Sequence, residues 1–97
     1  MAETTITNRI KDYINAIDGC LIIKKHNNQY GRKGEPDLLG ALHGRFIAIE
    51  VKQPGKEPTK IQHARLREWA RAGAITLWGT SLEDVQAKLL EEWGITL

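Results

Sequence analysis

Three side chains in this sequence are suited to do chemistry together: Asp37, Glu50 and Lys52. Glu50 and Lys52 lie in Arg45-Phe46-Ile47-Ala48-Ile49-Glu50-Val51-Lys52-Gln53, where Ile47, Ile49 and Val51 alternate with their neighbours and favour a β-strand. Side chains two apart on a strand point the same way, so carboxylate and ammonium project together at the strand's end. Before it comes Gly34-Glu35-Pro36-Asp37-Leu38-Leu39-Gly40. The short turn Leu42-His43-Gly44 folds that stretch back antiparallel and carries Asp37 towards Glu50. Two carboxylates offer the hard oxygens that Mg²⁺ or Mn²⁺ takes, and the backbone carbonyl of Val51 is a further candidate ligand. Zinc chemistry is disfavoured, because His26, His43 and His63 are scattered and Cys20 is the one cysteine.

Other elements must hold these groups in place. Ile6, Ile10, Ile14 and Ile17 recur at steps of four, four and three, which predicts a helix from about Thr5 to Ile17, capped by Thr4 or Thr5. Glu3 then stands at its start, where the helix dipole favours a negative charge. Asp18-Gly19 turns the chain into a first strand, Cys20-Leu21-Ile22-Ile23. Residues 27–35, rich in Asn, Gly and charge, read as a mobile loop into the site. Pro36 keeps the entry to the second strand extended, and Gly34 permits a turn or close approach that a side chain would block. A second helix is expected from Pro58 to about Ala72, with Gly73 after it. Gln62, Leu66, Trp69 and Gly73 share its inward stripe, so Gln62 needs a polar partner there: a strand end, or the Glu50-Lys52 site. The outward face carries Lys60, His63, Arg65, Arg67 and Arg71 with Glu68. Ala74–Trp78 reads as a fourth strand reached by a βαβ crossover, and Ser81-Leu82-Glu83-Asp84 opens a last helix. The expected order is α-β-β-β-α-β-α: an α/β fold with a mixed four-stranded sheet and helices on both faces.

Composition sets the bounds. Ninety-seven residues, 27% charged and 41% apolar, make one globular domain over 1–97. No apolar run approaches the roughly 20 residues of a membrane span, and the first residues lack a signal-peptide pattern, so a soluble, cytoplasmic protein is expected. Cys20 reads as a buried structural thiol. A net charge of +2 says little about partners, but its distribution says more. Lys24, Lys25, His26, Arg32 and Lys33 run without an acidic residue between them, interleaved with Asn27, Asn28, Gln29 and Tyr30. Amide and cationic side chains make phosphate contacts and an aromatic can stack on a base, although a solvated loop would look the same. Lys56 and Lys60 extend the candidate nucleic-acid contacts.

Pro36-Asp37, a hairpin and then Glu50-x-Lys52 resemble the active-site signature of the PD-(D/E)XK nuclease superfamily. With Gly34 before them and Gln62 on the helix after them, the arrangement is similar to the VRR-Nuc family of small phage and bacterial nucleases, from about Glu3 to Trp78. The resemblance implies a restriction-endonuclease-like core and metal-dependent hydrolysis of DNA phosphodiesters, with Asp37, Glu50, Lys52 and Gln62 as the catalytic set. It also implies a first-helix glutamate beside the metal, a role open to Glu3 as well as a plain helix-start charge. Stand-alone members are similar to Holliday-junction resolvases, which implies a homodimer on branched DNA, located in the host-cell cytoplasm if phage-encoded. Tyr13, Trp93 or the strand-four edge could supply the dimer contact. A flap or nicking endonuclease with the same site, and a branched-DNA-binding module without catalysis, are the alternatives.

Overall fold

In the computed structural model, which describes residues 2–25 and 31–97, the elements follow in the expected order. They are α1 (Glu3–Asn15), β1 (Cys20–Lys24), β2 (Leu38–Leu42), β3 (Arg45–Val51), α2 (Lys60–Arg71), β4 (Ile75–Gly79) and α3 (Leu82–Trp93). His26, Asn27, Asn28, Gln29 and Tyr30, the middle of the expected basic loop, lie outside the described residues.

The isoleucine period builds one side of the core. Ile6, Ile10 and Ile14 of α1 are buried together with Val85 and Leu89 of α3 against Ile22, Leu38, Ile47, Ile49, Val51 and Leu77 of the sheet. The helix starts earlier than expected: Ala2 is its N-cap without a side-chain bond, Thr4 and Thr5 lie inside it, and Ile17 falls beyond its end. The apolar stripe, with Glu3 supplying first-turn charge, fixes the helix without a hydroxyl cap.

The sheet order is β1-β2-β3-β4. The β2–β3 hairpin turns through His43 and Gly44, both at positive φ (50° and 83°), the two-residue geometry whose twist matches that of the strands. Its register pairs Leu38 with Ile49, which sets Asp37 beside the end of β3. Strand β3 stops at Val51, and the Lys52 N–H donates to the Gly79 carbonyl (3.0 Å) as a last rung towards parallel β4. Helix α2 crosses between them on the opposite face from α1 and α3, packing on β3 and β4. It begins at Lys60 because the Thr59 hydroxyl takes the capping position, two residues past the expected start at Pro58.

Both sheet edges are closed by side chains. On β1, Asn15 donates to the Ile22 carbonyl (3.0 Å) and accepts from its N–H (2.8 Å). On β4, Trp93 Nε1 donates to the Thr76 carbonyl (3.1 Å) and Lys88 Nζ to that of Trp78 (2.7 Å). Neither Trp93 nor the strand-four edge is therefore open as a dimer contact: the Trp93 indole is half-buried, with the Arg45 guanidinium 5.1 Å above its ring. Among the described residues, the α2-side face of β1 and β2 is open, with Leu21 and Ile23 64% and 60% exposed beside Phe46.

Candidate active site

The hairpin delivers the two carboxylates to one place. Asp37 Oδ2 accepts from the Val51 N–H at 2.8 Å, and the Asp37 carbonyl accepts from the Lys25 N–H at 2.8 Å. The residue is thus tied to β3 through its side chain and to the end of β1 through its backbone. Glu50, on the α2 side of β3, is only 2% exposed. Its Oε2 finds no hydrogen-bond partner among the described residues. Glu50 is therefore a buried carboxylate and not a surface group, because the end of β3 that sequence alone leaves open is covered.

Burial pushes the Glu50 carboxyl up from an ordinary 4.5 to about 9, helped by its hydrogen bond with Asp37 and by the Asp37 charge. The Lys52 ammonium pulls the other way, and Glu3 adds to the rise. Two carboxylates of which one is forced to keep a proton are poised for a cation, which can replace that proton and satisfy the orphan oxygen. The residues present therefore fit a hard divalent ion. Asp37 and Glu50 are the pair that could hold it, and Val51 directs its backbone to the Asp37 side. Among the described residues no three His, Cys, Asp or Glu side chains converge as a ligand group, so water would fill the remaining positions, as Mg²⁺ favours.

Asp37 and Glu50 face a cavity of about 430 Å³. Glu3, at the start of α1, and Gln62, in the first turn of α2, line it as well. Gln62 spends its amide oxygen on its own helix: Oε1 accepts from the Thr59 N–H at 2.8 Å while the Thr59 hydroxyl accepts from the Gln62 N–H, a reciprocal capping box. The partner required by its inward position is thus neither a strand end nor Glu50, although the residue sits at the cavity wall. Lys52 is half-buried just past β3 and acts on Glu50 through its charge.

Of the basic residues, Lys25, Arg32 and Lys33 line the cavity. Arg32 is already paired, with Glu35 Oε1 at 2.8 Å and Glu68 Oε1 at 3.3 Å. Lys24 projects to the α1 side of β1, near Lys11 and Asn15, because it alternates with Leu21 and Ile23. Lys56 and Lys60 are exposed and do not line the cavity.

One functional neighbour escaped the sequence. Arg65, expected on the outward face of α2, turns to the segment before Asp37: its Nε donates to the Lys33 carbonyl at 3.0 Å and its guanidinium pairs with Glu68 at 3.0 Å. The signal was the matching spacing of Arg32-Glu35 and Arg65-Glu68, each three apart, which only a fold can join.

No family model matches the chain. It is 50% identical over 46 residues to a protein described as "Putative nuclease p44" from Acyrthosiphon pisum secondary endosymbiont phage 1. That match spans 46% of this chain and 46% of that protein. A solved structure described as "VRR_NUC domain" is 29% identical, with a TM-score of 0.74 over 94% of this chain and 96% of that one. A second, described as "VRR_NUC domain protein", is 17% identical, covers 94% and 87%, and has a TM-score of 0.73, a likeness of fold. The chain has the VRR-Nuc nuclease fold, and the resemblance read from Asp37, Glu50 and Lys52 holds over nearly its whole length.

Proposed function

We propose, with the VRR-Nuc fold as premise, that residues 1–97 form one divalent-metal-dependent DNA endonuclease domain that hydrolyses phosphodiester bonds, acting as a homodimer on branched DNA. The observation that carries this reading is the buried, proton-retaining Glu50 beside Asp37 in a cavity rimmed by Lys25 and Lys33. A purely structural pair would leave a costly orphan carboxylate oxygen beside a cavity that both signs of charge line.

Asp37, Glu50 and the Val51 carbonyl would hold Mg²⁺ or Mn²⁺, and Glu3, which lines the same cavity, would support the ion through water. Such an ion, when bound, supplies an acidified water and neutralises charge on the phosphate. Lys52 would orient the attacking water or hold developing negative charge electrostatically. Gln62 would keep the α2 end in place and offer its amide nitrogen to the cavity. Lys25, Arg32 and Lys33 would take the scissile strand's phosphates, Arg32 by exchanging its carboxylates for phosphate. Lys24, Lys56 and Lys60 would meet the backbone further away. Such contacts read shape and charge, which suits a junction substrate.

The deciding experiment is cleavage of labelled four-way junction, flap and linear duplex DNA with Mg²⁺ or Mn²⁺ by native protein and Asp37→Ala. Metal-dependent cuts that favour the junction and vanish in the variant are expected. Preference for the flap, or nicking of duplex, would move the enzyme to that subclass. Junction binding with no cut under either metal would replace catalysis by a binding module.

A further inference from the structure

The wall of the cavity just before Asp37, residues 31–35, belongs to no helix or strand, yet it is fastened to α2 at two independent points. The first is Arg65. Its side chain is 21% exposed, and its Nε donates to a backbone carbonyl, that of Lys33. The same group pairs with Glu68 and approaches Glu35 Oε1 at 3.9 Å. Arg32 closes the ring by binding both glutamates. Exposed ion pairs hold weakly and give way to salt, whereas a guanidinium that donates to a backbone carbonyl and to a carboxylate at once, from different nitrogens, also fixes geometry. The second point is Gly34, whose φ of 80° strains any side chain and whose approach to Ile61 leaves little room for one: a Cβ there would stand 3.1 Å from the Ile61 backbone.

Helix α2 is a firm base for such a fastening. Leu66 is buried, Trp69 stacks on Phe46 at 4.9 Å, and the Thr59-Gln62 capping box secures its first turn. Asp37 does not depend on the wall, since Val51 and Lys25 hold it. The wall instead presents Lys33 and Arg32 to whatever enters.

We propose that Arg65 is a positioning residue: it locks the Lys33–Glu35 wall to α2, so that the cationic side of the cavity is formed before a phosphate backbone arrives. The substrate half of this inference rests on the nuclease reading; the fastening itself does not. Hydrogen exchange of the wall amides therefore reads the fastening directly. In Arg65→Gln, exchange over 31–35 rises about tenfold while the strands are unchanged. KM for a junction substrate rises about tenfold with kcat within about twofold of native, the pattern of lost binding without lost chemistry. Mn²⁺ affinity stays at its native value. Arg65→Lys restores part of the effect, because one ammonium cannot span both the carbonyl and Glu68. Gly34→Ala loosens the same amides by the other anchor. Unchanged exchange in Arg65→Gln overturns the inference, as does a fall in kcat at constant KM. If native protein cuts no DNA, the nuclease reading fails while exchange still decides whether Arg65 holds the wall.

Discussion

Glu50 concentrates the chemistry of this chain in one side chain, and its titration can be read without any substrate. With the folded carboxyl raised to about 9 from 4.5, the folded state holds a proton that the unfolded state has released between those values. The stability associated with it is fully present below about 4.5 and is lost as pH rises through about 9. Metal-free protein should melt at progressively lower temperature from pH 5 to pH 9, and Glu50→Gln, which cannot ionise, should flatten that slope and melt higher than native at the alkaline end. A native-like slope in Glu50→Gln would show that another group is responsible. A cation that takes the proton's place should release about one proton per site on binding near neutral pH. Calorimetric Mn²⁺ titrations in buffers of different ionisation enthalpy measure that number, and it should vanish in Glu50→Gln. The positions of Asp37, Glu50 and Lys52 were legible because a two-residue period and a short hairpin are local facts. The burial of Glu50 was not, because the helix that covers it arrives ten residues later in the chain.

The elements themselves were legible in order and type, each marked by its own periodicity, while their ends shifted with capping chemistry that a stripe of apolar residues does not fix. The clearest case is Gln62. Its place on the inward stripe of α2 announced a polar group in need of a partner, but that partner is the helix's own N-cap. Gln62→Ala keeps the Thr59 hydroxyl cap but should cost about 1 kcal/mol through the lost bond from the Thr59 N–H to Oε1, and thus roughly 4–8 °C in Tm. Gln62→Glu keeps the capping geometry and should melt close to native. If cleavage falls in Gln62→Ala by no more than the folded fraction predicts, its role ends with the helix. A second element-scale device, Asn15 on the Ile22 backbone, carried no sequence signal at all, because an edge is defined only once the sheet is assembled. Arg65 eluded the sequence for the same reason, since its partner carbonyl at Lys33 is 32 positions away.

At the scale of the molecule, sealed edges and one open apolar face together constrain how two copies can meet. Strand addition at β1 meets Asn15, and at β4 it meets Lys88 and Trp93, so a dimer built by extending the sheet would have to break those bonds. Leu21, Ile23 and Phe46 offer instead an uncharged surface that α2 leaves bare. A two-fold pairing through it is self-complementary, buries apolar area on both copies and needs no edge. By strand alternation Phe46 shares its face with Glu50, so such a pairing would set both cavities on one side of the dimer, as two strands of a junction require. Leu21→Asp and Ile23→Asp place a charge at well-exposed positions, so they should leave folding almost intact. In sedimentation equilibrium the native chain should run as a dimer and these variants as monomers, with junction cleavage falling more than binding to single-stranded DNA. Tyr13→Ala, on the α1 surface, should remain dimeric. A native chain that sediments as a monomer at micromolar concentration would remove the two-site model, and a dimer that survives both aspartates would place its interface elsewhere.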